Sequence, residues 1–246
     1  MSIEHDQDLA GIRRVSAVVR ETLDALEAAV RPGITTGELD AVGAVVLERH
    51  GARSAPNLVY GFPGVNLISL NDEAVHGIPG QRVIRPGDLV KLDVTLELDG
   101  YIADAARSVP VAPVSRKHRQ ICDCAEAAFR RALRMARPGV MTRDIGKAVE
   151  TEVRRHGFHV LHELGGHGVG RTIHEEPTVP NFWDRTVKDR LVEGMVLTIE
   201  PIIAERRGPV VQERDGWTIR TQNRSLSAHY EHTLLITRGE PVVLTA

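Results

Sequence analysis

The sequence predicts an α+β fold in which antiparallel hairpins are covered on one face by helices and the chain is built of two related halves. Three observations carry this expectation. Apolar residues recur at helical spacing in four segments with clear stops. Two Asp-Gly pairs, Asp99-Gly100 and Asp215-Gly216, mark two-residue hairpin turns between alternating segments. One helical segment also repeats: residues 31–51 and 137–157 align without a gap at an offset of 106, and seven of the 21 positions are identical. No stretch rich in Gly, Ser or Pro interrupts the 246 residues, so residues 1–246 are expected to form one domain.

Ile12, Val15, Val19, Leu23, Leu26 and Val30 define a first amphipathic helix, stopped by Arg31-Pro32-Gly33. A second starts at Thr35 or Thr36, where Thr35 and Glu38 suit a capping box, and ends at His50-Gly51. A third runs from about Ser115 to Ala136. A fourth runs from about Thr142 to His156-Gly157 and repeats the second. Strands are expected at 66–70, 88–98, 101–109, 195–200, 209–213, 217–221, 226–237 and 241–245.

Lys and Arg total 31 against 33 Asp and Glu, a net charge of −2. That balance excludes a nucleic-acid binder that works mainly by charge. Cys122 and Cys124 are too few for a disulfide scaffold and read as reduced thiols. The polar, acidic opening is not a signal peptide. No apolar run approaches the roughly 18 residues of a membrane span. The expected setting is cytoplasmic.

The 88–109 hairpin carries the first chemical signal. A turn at Asp99-Gly100 pairs residues whose numbers sum to 199, so Thr95 faces Asp104 and Asp93 faces Ala106. Opposed residues share a sheet face. Asp93 and Asp104 are then diagonal neighbours about 7–8 Å apart between backbones. Either one is protonated, or cations lie between them; a solvated face with two ordinary acids is the alternative. Glu200 and Glu231 weaken that alternative, because acids inside apolar strands are uncommon unless paired or metal-bound. His167 lies in the Gly-rich run 165–170, which has neither the Lys-Ser/Thr of a phosphate loop nor the context of a dinucleotide fingerprint.

These residues form an ordered set. Asn71-Asp72-Glu73-Ala74-Val75-His76-Gly77-Ile78-Pro79, Asp93, Asp104, Gly166-His167-Gly168-Val169-Gly170, His174-Glu175-Glu176-Pro177, Thr198-Ile199-Glu200-Pro201 and Tyr230-Glu231-His232-Thr233 follow one another along nearly the whole chain. In this order the chain resembles the type I methionine aminopeptidases. The resemblance implies the pita-bread fold, whose two pseudo-symmetric halves match the repeat. It implies removal of N-terminal Met from peptides and nascent chains by a metal-activated bridging hydroxide. By the same resemblance, Asp93, Asp104, His167, Glu200 and Glu231 hold two divalent ions, and oxygen-rich ligands with one imidazole suit Mn, Fe, Co or Zn. His76 is placed near the scissile nitrogen, His174 near the carbonyl oxygen, and Glu200 shuttles the proton. The implied partners are N-terminal Met peptides and the ribosome that presents them, with no membrane and no specific DNA, and the expected state is a monomer.

The side-chain pocket departs from the family pattern. Phe62 and Trp217 match its aromatic positions. Pro56, Val59, Tyr60, Gly64, Leu67 and Ile173 replace residues frequent there. The substrate-binding set is therefore Val59, Tyr60, Phe62, Leu67, His76, Thr95, Ile173, His174 and Trp217. A related aminopeptidase or Xaa-Pro peptidase is the alternative reading, and a non-catalytic binding module is a third. The other histidines, His5, His50, His118, His156, His159, His162 and His229, are expected to be structural, and His232 is expected to point away from Glu231.

Overall fold

The structure is a computed structural model describing residues 1–246. The first half opens with helix α1 (Asp6–Ala29) and helix α2 (Thr36–His50), followed by strand β1 (Arg53–Ser54) and the short helix α3 (Ala55–Tyr60). Strands β2 (Leu67–Leu70), β3 (Glu73–Val75), β4 (Leu89–Leu98) and β5 (Tyr101–Pro110) complete it. The second half repeats the plan with α4 (Arg116–Leu133) and α5 (Thr142–Arg155), then β6 (His159–Val160), β7 (Gly165–Gly168) and β8 (Glu175–Pro180). It continues through β9 (Val196–Ile199), β10 (Ile202–Ala204), β11 (Val210–Gln212), β12 (Ile219–Thr221), β13 (Ser227–His229), β14 (Glu231–Leu235) and β15 (Val242–Val243). No helix is long and apolar enough to cross a membrane.

Both repeated segments form helices. Helices α2 and α5 start at Thr36 and Thr142, the expected offset apart. The capping box at α2 forms: the Glu38 amide donates to Thr35 Oγ1 at 3.1 Å, and the Thr35 amide donates to the Glu38 carboxylate at 2.8 Å. Its counterpart at α5 has Met141 and no side-chain cap. Gly51, in a left-handed conformation (φ 66°), closes α2 where any other residue would be strained.

A large sheet of order β1-β4-β5-β14-β9-β7-β8 spans both halves, with β2 added on β4 and β15 on β14. The β4–β5 register is the one the turn dictates, Thr95 opposite Asp104 and Asp93 opposite Ala106. Alternation then separates two faces. Val90, Leu92, Val94, Leu96, Ala103 and Ala105 join α1 and α2 in one apolar core. A second core gathers α4 and α5 against β9 and β14. Asp93, Thr95 and Asp104 are left on the face away from the helices.

One expectation needs correction. The 226–237 strand is two strands: β13 belongs to a small sheet with β10 and β6, while β14 belongs to the large one, and the chain changes sheets at Tyr230. The Gly-rich run forms β7, an inner strand between β8 and β9. Glycine serves there by its lack of a side chain. A Cβ on Gly166 would stand 2.5 Å from the Thr198 carbonyl oxygen, and one on Gly168 would stand 2.3 Å from that of Glu176. Gly166→Ala should therefore destabilise the protein by about 1–3 kcal/mol and lower its thermal midpoint by roughly 5 °C; an unchanged melting curve would contradict this packing. Helix α3 was not legible in the sequence, being too short for periodicity to register.

Candidate active site

The candidate side chains lie in two neighbouring rows across one face of the sheet. Thr95 on β4 faces Asp104 on β5. The Asp104 amide donates to Thr233 Oγ1 at 2.9 Å, and that hydroxyl donates back to the Asp104 carbonyl at 2.7 Å. Thr233 on β14 pairs with Thr198 on β9. The His167 amide on β7 in turn donates to Thr198 Oγ1 at 3.1 Å. A second row, one pleat along, sets Leu67, Asp93, Ala106 and Glu231 side by side on β2, β4, β5 and β14. Strand β9 ends at Ile199, so Glu200 leaves the sheet there; Thr198 Oγ1 donates to its carboxylate at 3.0 Å. The Asn181 side-chain amide holds its carbonyl at 2.8 Å.

Asp93, Asp104, Glu200 and Glu231 are all buried. Burial first, and one another's negative charge second, hold their carboxyls well above the ordinary range. Asp93 Oδ1, Asp104 Oδ1 and Glu231 Oε1 are enclosed without a hydrogen-bond partner. Donor atoms of Asp104, His167 and Glu231 lie within 4.8 Å of one another, as do those of Glu200, His229 and Glu231. His167 is oriented as a ligand: its Nδ1 lies 2.9 Å from the Gly168 carbonyl, which can only accept, so Nδ1 carries the proton. The free lone pair of Nε2 then faces Glu200 Oε1 at 3.5 Å. Converging acids with open lone pairs beside a neutral imidazole fit divalent cations.

His76 follows β3 with a left-handed backbone (φ 59°), an uncommon strain for a residue with a side chain and one that clusters at functional sites. Burial, then the neighbouring His174 and His229, push its imidazole down to about 4, so it is neutral at neutral pH. Burial also lowers His174, whose ring centre lies 4.4 Å from that of His167.

A cavity of about 200 Å³ opens on this cluster. It is small beside ligand clefts of about 300–1,000 Å³, which suits a single side chain. Phe62 and Trp217 meet edge to face at 5.3 Å in its wall, and Leu67 and Ile173 extend the apolar surface. Tyr60, Thr95, His76 and His174 also line it. Val59 does not: it is 50% exposed and lies outside the wall, because it sits one residue before Tyr60 on α3 and points elsewhere. Val75, Glu163, Leu164 and Ile202 are wall residues that the sequence did not single out.

His229 is the principal residue missed. It is fully buried, its Nε2 lies 3.4 Å from Glu231 and 3.7 Å from Glu200, and neither ring nitrogen has a hydrogen-bond partner. His229 ends β13 in the small sheet and Glu231 opens β14 in the large one, so no alternation along a single strand relates the two. His232, at odd spacing, turns away and bonds Thr245 and Tyr230, as expected.

Residues 10–238 match metallopeptidase family M24. The chain belongs to that family. This M24 peptidase is 38% identical over 247 residues to methionine aminopeptidase 2 of Bacillus subtilis, which covers all of this chain and 99% of that protein. It superimposes on the crystal structure of methionine aminopeptidase from Rickettsia prowazekii with a TM-score of 0.95, at 32% identity and full coverage of both chains. The methionine aminopeptidase structure from Thermotoga maritima gives the same TM-score at 30% identity, covering 100% of this chain and 99% of that one. The M24 peptidase has the α+β pita-bread fold of these relatives.

Proposed function

We propose that this protein is a methionine aminopeptidase that hydrolyses the first peptide bond of N-terminal Met peptides and nascent chains, acting as one catalytic domain of two related halves. The observation that carries the reading is the convergence of four buried acids and His167 on a small apolar cavity, in a chain that matches such enzymes along its whole length. Asp93, Asp104, His167, Glu200 and Glu231 would hold two divalent cations, Co, Mn, Fe or Zn. Bound there, such ions supply an acidified water nucleophile and polarise the scissile carbonyl.

The chain's own residues do the rest. Phe62, Trp217, Leu67 and Ile173 take the Met side chain. Asp93 and Thr95 face the free α-amine, which is what restricts cleavage to chain ends. Glu200 accepts the proton of the attacking water and passes it to the leaving amine. Neutral His174 donates to the carbonyl oxygen as charge develops on it. Neutral His76 lies toward the scissile nitrogen. The setting proposed is cytoplasmic, at or near the ribosome, with the protein acting as a monomer.

The test is release of Met from Met-Ala-Ser peptides with added Co, Mn or Fe. Turnover is expected with at least one metal, and none under any metal would overturn the reading. A peptide set varied at the first residue then separates Met preference from an Xaa-Pro or altered preference, since an apolar pocket discriminates by only about 1–3 kcal/mol per methylene.

A further inference from the structure

Tyr60 sits at the end of α3, and its hydroxyl lies 2.7 Å from His174 Nδ1, a contact that joins residues 114 apart across the mouth of the cavity. The two rings lie 5.8 Å apart at a 34° tilt. Both ends of this contact are held. The Asn57 side-chain amide donates to the Phe62 carbonyl at 2.8 Å, which fixes the turn that follows Tyr60. On the other side, the Glu175 carboxylate accepts the Arg171 and Thr172 amides at 2.7 and 2.8 Å, which fixes the turn carrying His174. An aromatic ring left 49% exposed gains little from burial, so the hydroxyl contact is what Tyr60 chiefly supplies.

We propose that Tyr60 is a positioning residue that sets the tautomer and the ring orientation of His174. A neutral imidazole has one donor and one acceptor nitrogen. A separation of 2.7 Å is central for an O–H donor and at the short limit for an N–H donor. The phenol therefore donates to Nδ1. The proton of His174 then resides on Nε2, the nitrogen turned away from Tyr60. His167, whose ring neighbours that of His174, is fixed in the opposite tautomer by the Gly168 carbonyl. The two imidazoles thus receive opposite tasks from opposite tautomers. His167 has its lone pair at Nε2 because its proton is held at Nδ1, and His174 has its proton at Nε2 because its Nδ1 is occupied as an acceptor. One can bind a cation, and the other can donate to an oxygen on the substrate.

The inference rests on the aminopeptidase reading only for its kinetic consequence; the tautomer is tested without turnover. In the zinc-loaded protein with ¹⁵N-labelled histidine, His174 Nδ1 should show the shift of an unprotonated, hydrogen-bonded nitrogen and Nε2 that of a protonated one. Tyr60→Phe should move the Nδ1 signal and leave the thermal midpoint within about 2 °C, as a half-exposed substitution does. If the protein releases Met, Tyr60→Phe should lower kcat by about 10-fold, with KM within about 2-fold, because the donor acts on charge that develops in the transition state. A protonated Nδ1 in the unsubstituted protein overturns the proposal. So does a Tyr60→Phe protein with an unmoved Nδ1 signal, or with unchanged kcat alongside an active parent. An inactive parent whose Nδ1 behaves as stated would sink the aminopeptidase reading and leave the tautomer assignment standing.

Discussion

Replacing Glu231 with Gln is expected to lower kcat/KM for a Met-Ala-Ser peptide by on the order of 10³-fold, because the interactions lost are worth several kcal/mol in the transition state. Glu231 belongs to both groups of converging donors, so one substitution weakens both. Gln preserves the volume and removes the charge. Steady-state kinetics together with elemental analysis for bound metal check the result: activity and metal content should fall together. A second sign separates this from simple misfolding. Glu231 is buried among Asp93, Asp104 and Glu200, so removing its charge relieves repulsion in the metal-free protein. The metal-free variant should melt no lower than the metal-free parent. A variant that keeps full activity and metal content would show that Glu231 is no ligand.

Cation binding is expected to stabilise the protein, and the effect should grow as the pH rises. At about 100 times its dissociation constant, a bound ion adds about 2.7 kcal/mol, or roughly 5–10 °C of melting temperature at this chain length. The sign of the pH dependence follows from the four acids. Each is held well above its ordinary value by burial and then by like charge. A carboxyl raised in the folded state binds more protons folded than unfolded, so the metal-free fold loses stability as pH rises past the unfolded value of about 4. Cations replace those protons and bind more tightly as protons leave. The gap between the metal-loaded and chelator-treated melting temperatures should therefore widen from about pH 5 to about pH 8. A gap that stays constant or narrows would count against a carboxylate-rich cation site.

Much of the fold was legible where the physics is local. The Thr35–Glu38 box, the Gly51 stop and the Asp99-Gly100 turn each act within a few residues, and each appears as read. The turn also fixed parity. Once Thr95 faced Asp104, Asp93 had to share its face, and the helices had to cover the other. The limits were equally physical. Glycine is depleted in strands, so no local pattern marks Gly165-Gly166-His167-Gly168 as one; its glycines answer to the backbones of β8 and β9. The break at Tyr230 follows from two sheets meeting, not from any turn residue. His229 reaches Glu231 only because two sheets meet at Tyr230, and no pattern along one strand specifies that.

The sequence by itself determined which residues can act: the acids that strands hold on one face, the order of the motifs, and the repeat that makes two halves. Side-chain periodicity and turn chemistry are properties of neighbouring residues, and they survive without the fold. Only the tertiary structure decided which of these groups meet. It brought His229 to within 3.4 Å of Glu231 and turned Val59 out of the cavity wall. It also joined Tyr60 to His174 across 114 residues. Those outcomes depend on how two separately cored halves close on one sheet, and no local rule specifies distances between side chains carried by different strands.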